Sequence, residues 1–233
     1  MVMYDIVNLN NRNRRRRKKV EKITVLTADI VDSRRNLQQK EKLKEKLKNY
    51  TRDFIISSFS MSRGDEIQAI IKGWLQHPNT IRNLRYLAYP LKLRIGIGIG
   101  YLEEYVINKP LKDPWSMEGT AFYSARNAVE NLKEIKTTMT LFNCSNSYVN
   151  KYINTILMLM DTIQDRWTKE QWEAIHKYEE LGTYSEAAKI LNISYQNVEK
   201  RCKAANWKQF YLAEETLAEF DKVFSSFHLI DGE

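Results

Sequence analysis

Cysteine and histidine are scarce in this chain, and each scarcity removes a class of chemistry. The two cysteines, Cys144 and Cys202, stand far apart and form no CxxC, which argues against a disulfide framework and against a zinc site. The three histidines, His77, His176 and His228, are scattered, so a histidine-rich metal centre has no support. No run of about 18 apolar residues occurs, and no transmembrane helix is expected. The N-terminus is polar and then basic, without the apolar core of a secretory signal. A reducing cytoplasm is the expected home, with no membrane partner. What is present is a chain of 233 residues, 43% hydrophobic, which is enough for a packed core in one large domain or two small ones.

The net charge is +8 and the pI is near 9.3, a balance that favours a polyanionic partner. The charge is unevenly placed. Arg14 to Lys19 is an unbroken run of six cations, flanked by Arg12 and Lys22. Residues 1–22 read either as an arm that lies along phosphates or as a solvated tail.

Residues 23–29 (ITVLTAD) have the short, β-branched apolar pattern of a strand. A charged helix follows over about 35–50, then strands at 54–62 and 66–71 around the Arg63-Gly64-Asp65 turn. A helix over about 73–89, interrupted near Pro78, leads to a strand in LKLRIGIGIGY (91–101). The order is βαββαβ, the ferredoxin-like unit, in which the first and third strands are antiparallel neighbours. That topology brings the end of the first strand, Asp29, beside the start of the third, Asp65. Two carboxylates there suit Mg²⁺ or Mn²⁺, which take oxygen ligands. The alternative is local: Asp32 or Ser33 caps the next helix, and Asp65 is a turn residue.

Gly96, Gly98 and Gly100 alternate with Ile95, Ile97 and Ile99, giving one bulky face and one bare face. The bare face admits either a closely packed helix or a ligand. After a proline-containing loop (108–118), GTAFYSARNAVENL begins a helix at about Thr120, an N-cap residue type. Arg126 lies within its first two turns. A helix N-terminus and a nearby guanidinium suit phosphate oxygens.

Four segments, TADIVDSR, RGDEIQAI, LRIGIGIGYL and EGTAFYSARNAVE, in that order resemble the SatD family of bacterial proteins. More remotely they resemble the palm-type catalytic domain of class III nucleotide cyclases and GGDEF diguanylate cyclases. The resemblance implies Asp29, Ile30 and Asp65 as metal positions, and Arg126 as the arginine that stabilises the transferring phosphates. Asp32, Ser33, Gly64, Glu66 and Thr120 would surround a nucleotide. The helix motif departs from the cyclase pattern near Tyr123. On this resemblance Asp29, Asp65 and Arg126 would be the catalytic residues of an active enzyme.

The second half is helical. Over 145–167, Val149, Ile153, Ile156, Met160, Ile163 and Trp167 repeat at alternating spacings of four and three, as in a dimer stalk or an interdomain brace. Residues 167–207 then read as three helices with short turns. Gly182 ends the first, Thr183 and Glu186 form a capping box for the second, and Ser194 caps the third. Asn192 takes the turn position, where the left-handed conformation is tolerated. Val198, Cys202 and Ala205 face inward. Tyr195, Gln196, Asn197, Lys200, Arg201 and Lys203 face outward or flank, as in a recognition helix. A protein-interaction scaffold remains the alternative for the same trihelical pattern. A last helix is expected at about 208–227.

The expected fold is α+β: a ferredoxin-like palm or cyclase-like domain (23–144), a connecting helix (145–167) and an all-α helix-turn-helix domain (168–233). The expected function is a cytoplasmic regulator that binds duplex DNA and holds a nucleotide triphosphate with Mg²⁺ or Mn²⁺. The alternatives are an active nucleotidyl cyclase or nucleotidyltransferase on the two-aspartate site, and a homodimeric scaffold whose metal pair is vestigial.

Overall fold

A computed structural model describes residues 20–33, 36–62, 65–103, 114–135, 137–227 and 229–230. The basic run Arg14–Lys19 and the turn residue Gly64 lie outside them. Among the described residues the protein is a mixed α+β molecule, with a five-stranded sheet followed by a run of helices.

The sheet order is β2-β3-β1-β4-β5, built from β1 (Val20–Ile30), β2 (Ile55–Met61), β3 (Glu66–Lys72), β4 (Leu93–Glu103) and β5 (Thr140–Asn143). β1 pairs antiparallel with both β3 and β4. It is central because its run from Ile23 to Ala28 is apolar or β-branched throughout and is buried on both faces. β4 and β5 run parallel, joined across α3 (Thr120–Glu134). β5 has no counterpart in the sequence reading. Only Thr140 and Phe142 of its four residues are buried, too few to make a period.

Two helices, α1 (Leu37–Asn49) and α2 (Asn79–Ala88), join the core formed on the sheet face that carries Leu26, Ala28, Ile67, Ile95 and Ile97. The expected helix over 73–89 is shorter than its pattern. Residues 73–78 form a loop pinned by Thr24, whose hydroxyl donates to the Gly73 carbonyl and accepts from the Leu75 amide. The indole of Trp74 also donates to the Gly100 carbonyl. These tertiary bonds outweigh local helix propensity.

Helix α4 (Ser147–Gln164) is capped by the Asn146 side chain. Its seam residues Val149, Ile153 and Met160 are buried in the chain's own core, so the repeat serves an internal brace. Beyond it lie α5 (Lys169–Leu181), α6 (Tyr184–Leu191), α7 (Tyr195–Ala204), α8 (Trp207–Ala218) and α9 (Phe220–Phe224). The single helix expected over 208–227 is thus two, separated at Glu219. The apolar core is continuous from Leu26 and Ile95 through Val149 to Trp172, Val198 and Phe220. The boundaries expected at 144/145 and 167/168 are therefore not breaks in packing.

One arginine staples the two halves together. Arg82, on α2 and 3% exposed, places Nε 3.0 Å from Glu214 Oε1 on α8 and Nη2 3.1 Å from Glu179 Oε2 on α5. Its guanidinium lies 4.7 Å from the centre of the Trp207 ring. Burial pushes the Glu214 carboxyl above its ordinary range, and Arg82 opposes that shift.

Candidate functional site

The sheet places its acidic residues in register. Asp29 lies directly opposite Glu66 on β3 and opposite Arg94 on β4. Residues directly opposite on antiparallel strands share a face, so Glu66, Asp29 and Arg94 form one row. Arg94 Nη1 is 3.3 Å from Asp29 Oδ2. Lys133, near the end of α3, sits above this row. Its hydrogen bond to Glu130 holds the ammonium above the usual lysine range against the opposing effect of burial, and the charges of Asp29 and Glu66 add to it.

Asp65 lies next to Glu66, in the bend before β3. Its carboxylate accepts from the Ser33 hydroxyl and pairs with the Lys40 ammonium of α1. The ends of β1 and β3 are neighbours, as the topology requires, but each aspartate is answered by its own cation. Asp29 turns to Arg94 with Lys133 of α3 overhead, and Asp65 turns to α1. Ile30 is 3% exposed with its side chain in the core, so only its carbonyl is available to a ligand. Among the described residues no group of three or more His, Cys, Asp or Glu side chains is arranged to hold a metal ion.

The capping expectation for Asp32 or Ser33 is corrected. Helix α1 starts later, at Leu37, with Asn36 in the cap position and no side-chain cap. Ser33 spends its hydroxyl on Asp65, and exposed Asp32 takes a left-handed backbone at φ 52°. Thr120 is likewise the first helical residue rather than the cap, a position Gly119 fills.

The glycine stripe is where α3 lies down. A Cβ on Gly96 would be 2.1 Å from the Ala125 carbonyl oxygen, and one on Gly98 would be 2.0 Å from that of Ala121. The bare face therefore seats a helix. This contact also fixes the direction of α3. Its N-terminus lies over Gly100, whose added Cβ would be 3.4 Å from Thr120 Oγ1, while Asp29 pairs with Arg94. From Arg94 to Gly100 the strand advances about 20 Å. Within one chain, Thr120 and the helix N-terminus are thus at the far end of the sheet from Asp29. Arg126 is exposed, on the turn after buried Phe122 and beside buried Ala125.

The second surface belongs to α5, α6 and α7, which pack on one another. Thr168 and Gln171 form a full capping box for α5, and Gly182 ends it at φ 78°. The Thr183 hydroxyl accepts from the Glu186 amide, Asn192 adopts φ 53° and ψ 45°, and the Ser194 hydroxyl accepts from the Asn197 amide. The turn between α6 and α7 is therefore three residues, fixed at both ends. Val198, Cys202 and Ala205 are buried at 0, 2 and 2% exposure, and burial pushes the Cys202 thiol up to about 11. Tyr195, Gln196, Asn197, Lys200 and Lys203 are exposed and Arg201 is half-buried. Glu199 is the one acidic residue in α7. Sequence reasoning missed Arg94, Lys40 and Lys133, the cations that answer the acidic residues. Arg94 and Lys40 lie far in sequence from Asp29 and Asp65, Lys133 is bonded to its neighbour Glu130, and strand register alone could have flagged Arg94.

No helix among the described residues is long and apolar enough to cross a membrane. No curated protein matches the chain. One solved structure, a regulator of polyketide synthase expression from Bifidobacterium adolescentis, aligns over 87% of this chain and 82% of its own at 8% identity, with a TM-score of 0.27. A likeness that low carries no argument about fold or role. The family model for SatD, by contrast, matches continuously over residues 23–220, from the first buried residue of β1 to the start of α9, and the chain therefore belongs to the SatD family.

Proposed function

We propose that the protein is a DNA-binding regulator in which α6 and α7 form a helix-turn-helix and α7 is the recognition helix. The observation that supports this best is the partition of α7. Val198 and Cys202 on its inner face and its C-cap Ala205 are buried to 2% exposure or less, while its outward surface carries amides, cations and a tyrosine with a single acid. Amides read adenine edges, and cations hold phosphates or guanine. The test is base reading. Against a duplex selected by the wild-type protein from a randomised pool, Gln196→Ala with Asn197→Ala is expected to lose about 1–3 kcal/mol of discrimination per base pair read. Affinity for unrelated duplexes should stay unchanged. Equal loss on every sequence would assign those amides to backbone contact, and no loss at all would move the surface to a protein partner.

The order β2-β3-β1-β4 supports a ferredoxin-like, palm-type unit, and with it a nucleotide site. Mg²⁺ or Mn²⁺ would be held by Asp29, the Ile30 carbonyl and Asp65, with Arg126 and the N-terminus of α3 toward the phosphates. The donor oxygens are of the right kind, but Lys40 must release Asp65 before an ion binds there. The distance from Asp29 to Thr120 favours a homodimer, in which a second copy brings its α3 to the acidic corner. Mn²⁺ with a nucleoside triphosphate at about 100 times Kd is expected to raise Tm by about 5–10 °C. The shift should be absent in Asp65→Ala. No shift in the wild type would leave the corner a purely structural ion-pair cluster. Turnover to a cyclic or transferred nucleotide product that vanishes in Asp29→Ala would promote the enzyme reading.

A further inference from the structure

Helix α4 carries a second seam. Tyr148, Tyr152, Thr155, Leu159 and Thr162 follow one another at spacings of four, three, four and three, the repeat with which one helix meets another along a shared stripe. The inner seam of Val149, Ile153 and Met160 is spent on the chain's own core. The second is displaced from it by one residue, about 100° around the helix, and faces solvent. Tyr148 is 75% exposed, Tyr152 65% and Leu159 57%, with Met158 beside them at 38%. Thr155 and Thr162 are exposed too. Their hydroxyls donate to the carbonyls of Lys151 and Met158 in the same helix, which satisfies the polar group and leaves the methyl for contact.

Charge and size select the occupant. Between Tyr148 and Thr162 the exposed residues of α4 include one charge, Lys151, and the next step of the repeat is exposed Arg166, just past the helix. A parallel copy of the same helix would set Lys151 against Lys151 and Arg166 against Arg166. An antiparallel copy, related by a two-fold axis midway between Thr155 and Leu159, holds the two Lys151 about 18 Å apart along the helices, beyond the screening length. The same register sets large side chains on small ones. Tyr152 meets Thr162 of the second copy and Leu159 meets Thr155. Tyr148 meets the Arg166 guanidinium, a cation–aromatic contact.

The area suffices for a dimer. At these exposures the two tyrosines offer roughly 200–350 Å² per copy, a third to more than half of the roughly 600 Å² per copy at the lower bound of stable interfaces. Lys151, Thr155, Met158, Leu159 and Thr162 then need to add only roughly 50–80 Å² each. We infer that the solvent-facing seam of α4 is a homodimer contact, in which the α4 helices of two copies pair antiparallel. The inference assigns a contact surface, which the nucleotide reading leaves unspecified. It rests on α4 alone, so it stands or falls separately from the nucleotide and DNA readings.

Sedimentation velocity of the full chain, from low to high micromolar concentration, should show a reversible monomer–dimer equilibrium. Leu159→Glu places a charge in the contact and should weaken dimerisation at least tenfold. Its circular dichroism should match the wild type, because Leu159 is exposed in the single chain. Disulfide formation reads the register, since the native Cys144 and Cys202 are buried. Thr155→Cys mixed with Leu159→Cys should join the two chains on oxidation. Tyr148→Cys should not join to itself, because antiparallel pairing holds those positions about 27 Å apart along the helices. The proposal is overturned if the wild type stays monomeric throughout, or if Leu159→Glu dimerises like the wild type. It is also overturned if Tyr148→Cys joins to itself while the mixed pair does not.

Discussion

Arg82→Ala is expected to destabilise the protein by about 3–5 kcal/mol, the range for removing one partner of a buried ion pair. The variant leaves Glu214 charged at 4% exposure with no cation beside it, and it uncovers the face of Trp207. Denaturant unfolding followed by circular dichroism measures the loss. The cause is separable by a second variant. Arg82→Met with Glu214→Leu removes both charges while keeping volume, and should recover most of the lost stability. A single-variant loss below about 1 kcal/mol would mean that the staple is not what holds α2 to α5 and α8.

Gly98→Ala is expected to cost about 3 kcal/mol or more, at the upper end of overpacking. The added methyl has no flexible neighbour to push aside. It meets the Ala121 carbonyl oxygen at 2.0 Å and the Ala125 amide nitrogen at 2.7 Å, so α3 must lift from β4. Gly182→Ala is the internal control. Nothing lies within 4 Å of its added Cβ, and only the left-handed backbone resists, at about 1–2 kcal/mol. Thermal or denaturant unfolding of the two variants side by side should therefore rank Gly98 as the more damaging. The reverse ranking would place the closeness of α3 and β4 in doubt. Lifting α3 would also move Lys133 away from Asp29 and Glu66, so Gly98→Ala should perturb the acidic corner without touching it.

Much of this was legible in the chain. The alternation of isoleucine and glycine in β4 and the apolar run of β1 fixed which faces are buried. The βαββαβ order led to β1 and β3 as antiparallel neighbours. The caps at Thr183 and Ser194 and the turn at Asn192 were readable because capping and left-handed positions have side-chain preferences of their own. What escaped was long-range. The direction of α3 over the sheet depends on the loop that precedes it, and no local pattern encodes that direction. Lys40 and Asp65 meet only because α1 lies over the bend at Asp65. Arg82 and Arg85 carried a signal that can be read in retrospect. They sit at the same spacing as Ile81, Leu84 and Ala88 on the buried face of α2, and a cation on an apolar face requires an acid from elsewhere.

His176 belongs with this set. It stacks on Tyr86 with ring centres 4.1 Å apart, and burial lowers its pKa to about 4. It is a packing residue between α2 and α5.

The proposed role of α7 is tested most directly by the salt dependence of duplex binding, measured by fluorescence anisotropy for the wild type and for Lys200→Ala with Arg201→Ala. Each phosphate contact contributes about 0.9 to the slope of log K against log salt. The double variant should bind more weakly at low salt, with a slope shallower by about 2. Identical affinity and identical slope in the two proteins would contradict the assignment of this helix to DNA.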